Sequence, residues 1–375
     1  MASRTTTNSS ALHLGTGSKA GFAASYWYLM WSNGTNIVFA PNDHPTCDPS
    51  NFGSEVTVKA GSDGSYFQAL FDDIYCYLAS CTPDSNPIKI RRGVCSGGSI
   101  SWETEVTVAT GTQMRVTSID MMDDGSLLVA YYDTNKAKVT RLVNTNGTWS
   151  VVSGYPMTVS DSDQDSVNTM IKAVALSGSK WMALYCTVTG GHIFSKVWDG
   201  SALGSRVQAS SIICSATQRF DARAFGDVVH LAWNAQDNLF NIYRRTWNGS
   251  SWGTAVEIED NCSYDDLPAV SINKDTGDAF IAWQSFPSST HVYYVKYTAL
   301  TSSWSSVVDA ATESALPNSY QTVGLNRAQN DSVLFFYLSG GSPYTLDNIR
   351  IESLTASAGG VGPSGGIACG GIMII

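Results

Sequence analysis

The sequence predicts an all-β propeller of seven four-stranded blades, on three observations. A short apolar strand closing on an aromatic side chain returns about every fifty residues, turn chemistry returns with it, and no helical period competes along the 375 residues. Seven small twisted sheets arranged radially can each bury both faces against their neighbours, and closing the ring protects the sheet edges. One domain then accounts for the whole length, with six blades as the alternative count and eight too many.

The recurring strand reads Tyr28 to Trp31, Leu127 to Tyr131, Trp181 to Tyr185, Val229 to Trp233, Phe280 to Trp283 and Val333 to Tyr337, and Tyr75 to Ser80 fills the remaining slot. The closing residues Trp31, Ser80, Tyr131, Tyr185, Trp233, Trp283 and Tyr337 stand 48 to 54 residues apart. Six or seven residues before them lies Gly125, Gly178, Gly226, Gly277 or Asn330, residues suited to hairpins that need positive φ. A second turn follows as Asn146-Gly147, Asp199-Gly200 and Asn248-Gly249. Trp149, Trp252 and Trp304 then begin or precede the last strand of their units, as Trp102 does earlier, and are assigned to packing between blades. In the fifth unit the four strand-length runs are Arg219 to Phe225, Val228 to Asn234, Phe240 to Thr246 and Trp252 to Ile258. The first unit shows no clear inner strand before Tyr26, and six blades would result if it were incomplete. Residues 1–20 are read as a segment that closes the ring, with Ala11 to Leu14 as its strand beside Val333 to Ile351. Residues 21–355 form the propeller, and 356–375 a Gly-rich tail.

Charged residues are 14% of the chain against roughly a quarter in an average soluble domain. The surface is therefore polar and sparsely charged. A net charge of -10 opposes general affinity for nucleic acid or anionic lipid. The 13 Phe, 11 Trp and 17 Tyr supply more core material than a disordered chain carries. No run of about twenty apolar residues is present, and Met1 to Gly21 lacks the basic-then-apolar order of a secretory signal. The cysteines at 47, 76, 81, 95, 186, 214, 262 and 369 show no zinc spacing. They read as small buried hydrophobes, with a local disulfide among Cys76, Cys81 and Cys95 as the alternative.

Glycoside hydrolysis would need paired carboxylates, or a Tyr nucleophile with an Arg cluster gripping an acidic substrate. The inner-strand positions Arg115, Asp120, Arg219, Asp221, Arg223 and Asp266 offer such groups, although spacing does not show that they converge. Asp161, Asp163 and Asp165 alternate like the start of a calcium loop, but the sixth position lacks Gly and the twelfth is Lys172, so only a looser calcium site is open. No other cofactor is expected. The five histidines are dispersed, and His230, inside an aromatic strand, reads as a core or axis residue. Gly362-Pro363-Ser364-Gly365-Gly366 lacks the strand and helix a nucleophile elbow requires.

Asn248-Gly249-Ser250-Ser251-Trp252 and Asn146-Gly147-Thr148-Trp149 resemble the turn before an outer-strand tryptophan in sialidase-type and BNR-type propellers and in propeller lectins. The full Asp box of that family is absent, so the resemblance implies architecture and no active site. The Ser/Thr/Asn/Gly-rich surface and the tail ending in Ile372, Met373, Ile374 and Ile375 resemble assembled bacteriophage structural proteins in composition. An apolar end on a Gly-rich spacer is a candidate strand for docking on a neighbour in a homo-oligomer or on other virion or surface proteins. The expectation is a non-catalytic structural or glycan-binding propeller, on a virion or extracellular, without nucleic-acid partners or membrane insertion. The alternatives are a secreted sialidase-type glycoside hydrolase and a secreted lectin.

Overall fold

The computed structural model describes residues 5–6, 19–44, 47–61, 66–81, 87–111, 114–134, 136–161, 170–187, 191–214, 220–235, 241–259, 268–285, 291–312, 323–324, 332–339 and 344–352. These form seven separate antiparallel sheets. Blade one runs Ala20–Ala23, Tyr26–Ser32, Ile37–Asn42 and Val56–Lys59. The following blades start at Tyr66–Phe71, Arg115–Met121, Ile171–Ala175, Phe220–Phe225 and Ala269–Ile272, and blade seven starts at Val323–Gly324. First strands of successive blades contact one another, which makes them the inner wall of the ring. Blade one has its full set, so the inner strand that was obscure in the sequence is Ala20–Ala23. Its small residues suit a crowded axis, where a Cβ on Gly21 would come within 2.3 Å of the Phe71 side chain.

The predicted markers all fall on second strands, and Trp31, Ser80, Tyr131, Tyr185, Trp233, Trp283 and Tyr337 are all buried. Gly125, Gly178, Gly226 and Gly277 take the positive φ that their hairpins require. Asn330 lies outside the described residues. In blade seven the outermost strand is Thr5–Thr6, pairing with Thr345 and Tyr344. Ala11 to Leu14 lies outside the described residues. The seam between blades seven and one is held by Asn348, whose Nδ2 donates to the Cys47 carbonyl at 2.9 Å, and by Phe52 against Phe336.

In three blades the fourth strand is broken in two, with the tryptophan on the first piece, ahead of the last, as its place in the sequence suggests. In blades two, three and six two short pieces pair with the same third strand, and the first piece carries Trp102, Trp149 or Trp304. In blade five Trp252 makes only an isolated bridge to Trp247, and the pairing strand is Val256–Glu259 instead of the expected Trp252 to Ile258. The tight turn Asn248 to Ser251, where Asn248 Oδ1 accepts from the Ser250 and Ser251 amides, uses up the residues that would extend it.

Seven apolar clusters lie one between each pair of adjacent blades, so the core is a ring of inter-blade layers. Among the described residues, the layer between blades five and six is the smallest. It has six buried apolar residues, Ala232, Ile242, Val270, Ile281, Trp283 and Val295, against ten or more in every other layer.

Candidate site between blades five and six

Antiparallel pairing places the side chains of directly opposite residues on one face of a sheet. In blade five Arg223 pairs with His230, and His230 with Thr246; one step along, Asp221 pairs with Ala232, and Ala232 with Arg244. Asp221, Arg223, His230, Arg244 and Thr246 therefore share the face turned to blade six, and their polarity explains why that apolar layer is small.

The register makes the departure explicit. His230 stands three residues before its marker, where the other blades have Tyr28, Tyr77, Leu128, Met182, Phe280 and Leu334, all buried. Arg244 pairs with the residue before the marker, a position held elsewhere by Phe39, Ile90, Val139, Ser195, Tyr294 and Asn348. Two ionisable side chains thus replace uncharged ones at a single interface.

His230 is fully buried, with Tyr297 at 4.5 Å and the edge of Trp304 at 5.5 Å between ring centroids. Its Nδ1 lies 3.2 Å from Thr246 Oγ1, and its Nε2 has no hydrogen-bond partner among the described residues. Burial, with the nearby Arg244 charge, pushes the imidazole down to about 3, so it is neutral at ordinary pH. The Arg244 guanidinium lies 4.4 Å over the Trp304 ring, and burial lowers it to about 10. Arg244, Thr246, Tyr297 and Trp304 remain partly accessible to solvent. The partly exposed side of this interface can offer an aromatic surface, a hydroxyl and a cation to a ligand, with a buried neutral imidazole behind them.

Nearer the axis, one residue from each of the first six blades occupies an equivalent register position: Lys19, Gln68, Ser118, Lys172, Asp221 and Ala269, all buried. Lys172 Nζ meets Asp221 Oδ1 at 2.8 Å across blades four and five. Burial lowers Lys19 to about 7 and Lys172 to about 8. The carboxylates here bind neighbouring blades. Asp221 Oδ2 accepts from the Val270 amide at 2.8 Å, Asp120 Oδ2 from Ala175 at 2.9 Å and Ser118 Oγ from Ala173 at 2.9 Å. Side chains thus satisfy amides that inner strands would otherwise leave unpaired. Lys19 and Lys172 have no exposed surface, so this layer is closed to a ligand.

Of the sequence candidates, Asp120, Asp221 and Arg223 are buried near the axis, and Arg115 stacks on Tyr66 at 4.9 Å. Arg219 and Asp266 lie outside the described residues. Trp149 is buried and meets Tyr77 of blade two edge-on at 6.0 Å. Trp252 is half-buried and donates from Nε1 to Ser195 Oγ of blade four at 3.0 Å. Asp161 is occupied by Lys196 at 2.9 Å and Arg206 at 3.3 Å, a pairing that competes with calcium ligation. Asp163 and Asp165 lie outside the described residues, as do Ile372, Met373, Ile374 and Ile375. Arg244 and Tyr297 were missed in the sequence. The signal that finds them is an ionisable residue at an uncharged register position, and it emerges only once third strands are aligned through their hydrogen bonds.

No family model matches the chain, and no curated protein matches it in sequence. Solved structures match it in fold at low identity. A polysaccharide lyase of family PL25, an ulvan lyase, has a TM-score of 0.60 at 10% identity, over 94% of this chain and 95% of its own. AofleA from Arthrobotrys oligospora has a TM-score of 0.53 at 13% identity, over 78% of this chain and 86% of its own. The SapL1 lectin in complex with alpha methyl fucoside has a TM-score of 0.50 at 14% identity, over 77% of this chain and 93% of its own. These likenesses establish the all-β propeller architecture.

Proposed function

We propose that the protein binds glycans, in the cleft between blades five and six. The observation that carries this reading is the pairing of a partly open aromatic surface, Trp304 with Tyr297, with polar groups that have no structural duty. Among the described residues Arg244 meets only a ring and His230 Nε2 meets nothing. A sugar presents an apolar C–H face and a rim of hydroxyls, so an aromatic platform edged with donors and acceptors suits both. Unpaired buried polar groups are costly, and a ligand that satisfies them recovers part of that cost on binding. A lectin of the same fold holding a fucoside supports the reading.

Catalysis gains no comparable support from the geometry. Asp120 and Asp221 are each hydrogen-bonded to backbone amides of a neighbouring blade, and Asp221 also to a lysine, so neither is free to act as a base or nucleophile. The particle-assembly reading rested on the tail from Ile372 to Ile375, outside the described residues, and no part of this proposal depends on it.

The test is a glycan microarray probed with the whole chain and with Trp304→Ala, accepting the variant only if its circular dichroism and melting resemble the parent's. Discrete glycan hits that vanish in the variant support the proposal. An empty array, or hits that persist in the variant, would sink it.

A further inference from the structure

Among the described residues, arginines away from the axis find partners, with one exception. Arg92 meets Glu103 through Nε at 3.0 Å, Arg141 pairs with Asp124, and Arg206 reaches Asp161 at 3.3 Å. Arg91 donates to the Val58 carbonyl and Arg245 to the Gly253 and Ala209 carbonyls. Arg244 has Trp304 alone among the described residues. Its neighbour His230 is neutral and brings no negative charge.

Five carboxylates of blades five and six have partners of their own. Asp221 is held by Lys172 and the Val270 amide, Asp227 by Lys180, Asp278 by Lys296, Glu257 by the Tyr243 hydroxyl and Asp309 by His291. Arg223, on the same face and nearer the axis, is buried and its Nε also lacks a hydrogen-bond partner among the described residues. One blade face therefore carries two guanidiniums, and the carboxylate that shares it, Asp221, is held by Lys172 and the Val270 amide, in a chain whose net charge is -10. A guanidinium over an indole can keep N–H groups free, and these match the two oxygens of a carboxylate or a sulfate.

We propose that the glycan recognised in this cleft is acidic, its carboxylate or sulfate group taken by the edge of Arg244 while the sugar face lies on Trp304. The inference rests on the glycan-binding reading and names its ligand class. The chain's negative charge gives no long-range attraction for such a ligand, so selection is local: the anion supplies the partner that the cleft lacks. A neutral sugar would leave the guanidinium without its counter-charge.

The experiment uses the whole chain on an array carrying uronic-acid oligosaccharides, sulfated oligosaccharides, and the carboxyl-reduced or desulfated form of each. Hits confined to acidic glycans, weakened about tenfold or more in Arg244→Gln, are the expected result, that factor being the loss of one charge-assisted contact. Whether uronates or sulfates answer identifies the source of the anion. Binding to the neutral forms with equal strength would overturn this inference and leave the glycan reading standing. No binding to any glycan would overturn both. If Arg244→Gln fails to fold, the parent alone decides. Its affinity for the acidic hit should fall as sodium chloride rises from about 20 to 500 mM, whereas an affinity indifferent to salt excludes a charge contact.

Discussion

Lys172 and Asp221 occupy equivalent register positions in consecutive blades, and their side chains meet at 2.8 Å in a layer closed to solvent. Removing one member of such a pair strands the other charge. Asp221→Ala should cost about 3 to 5 kcal/mol, because Lys172 loses its counter-ion and the Val270 amide its acceptor. Lys172→Met should cost less, since Asp221 keeps two amide donors, Ala222 and Val270. Urea melts of the two variants check the order; equal costs would mean that the ammonium carries no net penalty when unpaired.

The same layer sets the pH dependence of stability. Lys19 and Lys172 are lowered from 10.5 to about 7 and about 8, so between those values and 10.5 the unfolded chain binds more protons than the folded one, and stability rises with pH. Burial of His230 acts in the same direction from about 3 to 6.5. Burial of Cys76, Cys95 and Cys186 raises all three thiols from 9.0, Cys95 to about 12, and acts oppositely: unfolded thiols ionise first, and three thiols outnumber the two lysines, so stability falls as pH climbs past 9. The stability maximum should lie at about pH 8 to 9, read from urea midpoints between pH 5 and pH 10.5. A maximum near pH 6 would show that the lysines are not buried as described.

Tryptophans at matching places in the sequence should not weigh equally. Trp149 is buried, and its truncation to alanine should cost about 3 to 5 kcal/mol, as for other large buried aromatics. Trp252 is half-buried, so Trp252→Ala should cost about half as much despite losing the bond to Ser195. Chemical denaturation of both variants tests the ranking, which fails if Trp252→Ala proves the more damaging.

Thiol reactivity offers a check on the core. Cys47, Cys76, Cys81, Cys95, Cys186 and Cys214 are buried, so Ellman's reagent should titrate no more than Cys262 and Cys369 in the folded protein and all eight after denaturation and reduction. Rapid reaction of three or more thiols in the native state would contradict the packing.

What was legible in the sequence is what the repeat enforces. Six of the seven blades place a large buried side chain at the end of the second strand, with Ser80 in the remaining slot, so Trp31, Tyr131, Tyr185, Trp233, Trp283 and Tyr337 announced the period, and hairpin glycines marked its turns. Ala20–Ala23 escaped notice because an inner strand pressed against Phe71 must be small, and small residues carry little pattern. The break at Trp252 was hidden because turn and strand residues overlap in composition there. Asp221 and Arg223 were singled out in the sequence, yet their roles differ from the hydrolytic ones considered, since Asp221 joins blades. Arg244 was not legible because Arg244 and Arg245 read alike in the chain; only the pairing with Ala232 and Leu231 turns one to the cleft and the other to backbone carbonyls.

The central claim is that the cleft between blades five and six holds a sugar. A crystal structure of the whole chain grown with its strongest array hit tests this most directly. The account predicts a sugar ring stacked on Trp304 with an oxygen within hydrogen-bonding distance of Arg244. A sugar bound at any other place on the ring, with the cleft unchanged, would contradict it.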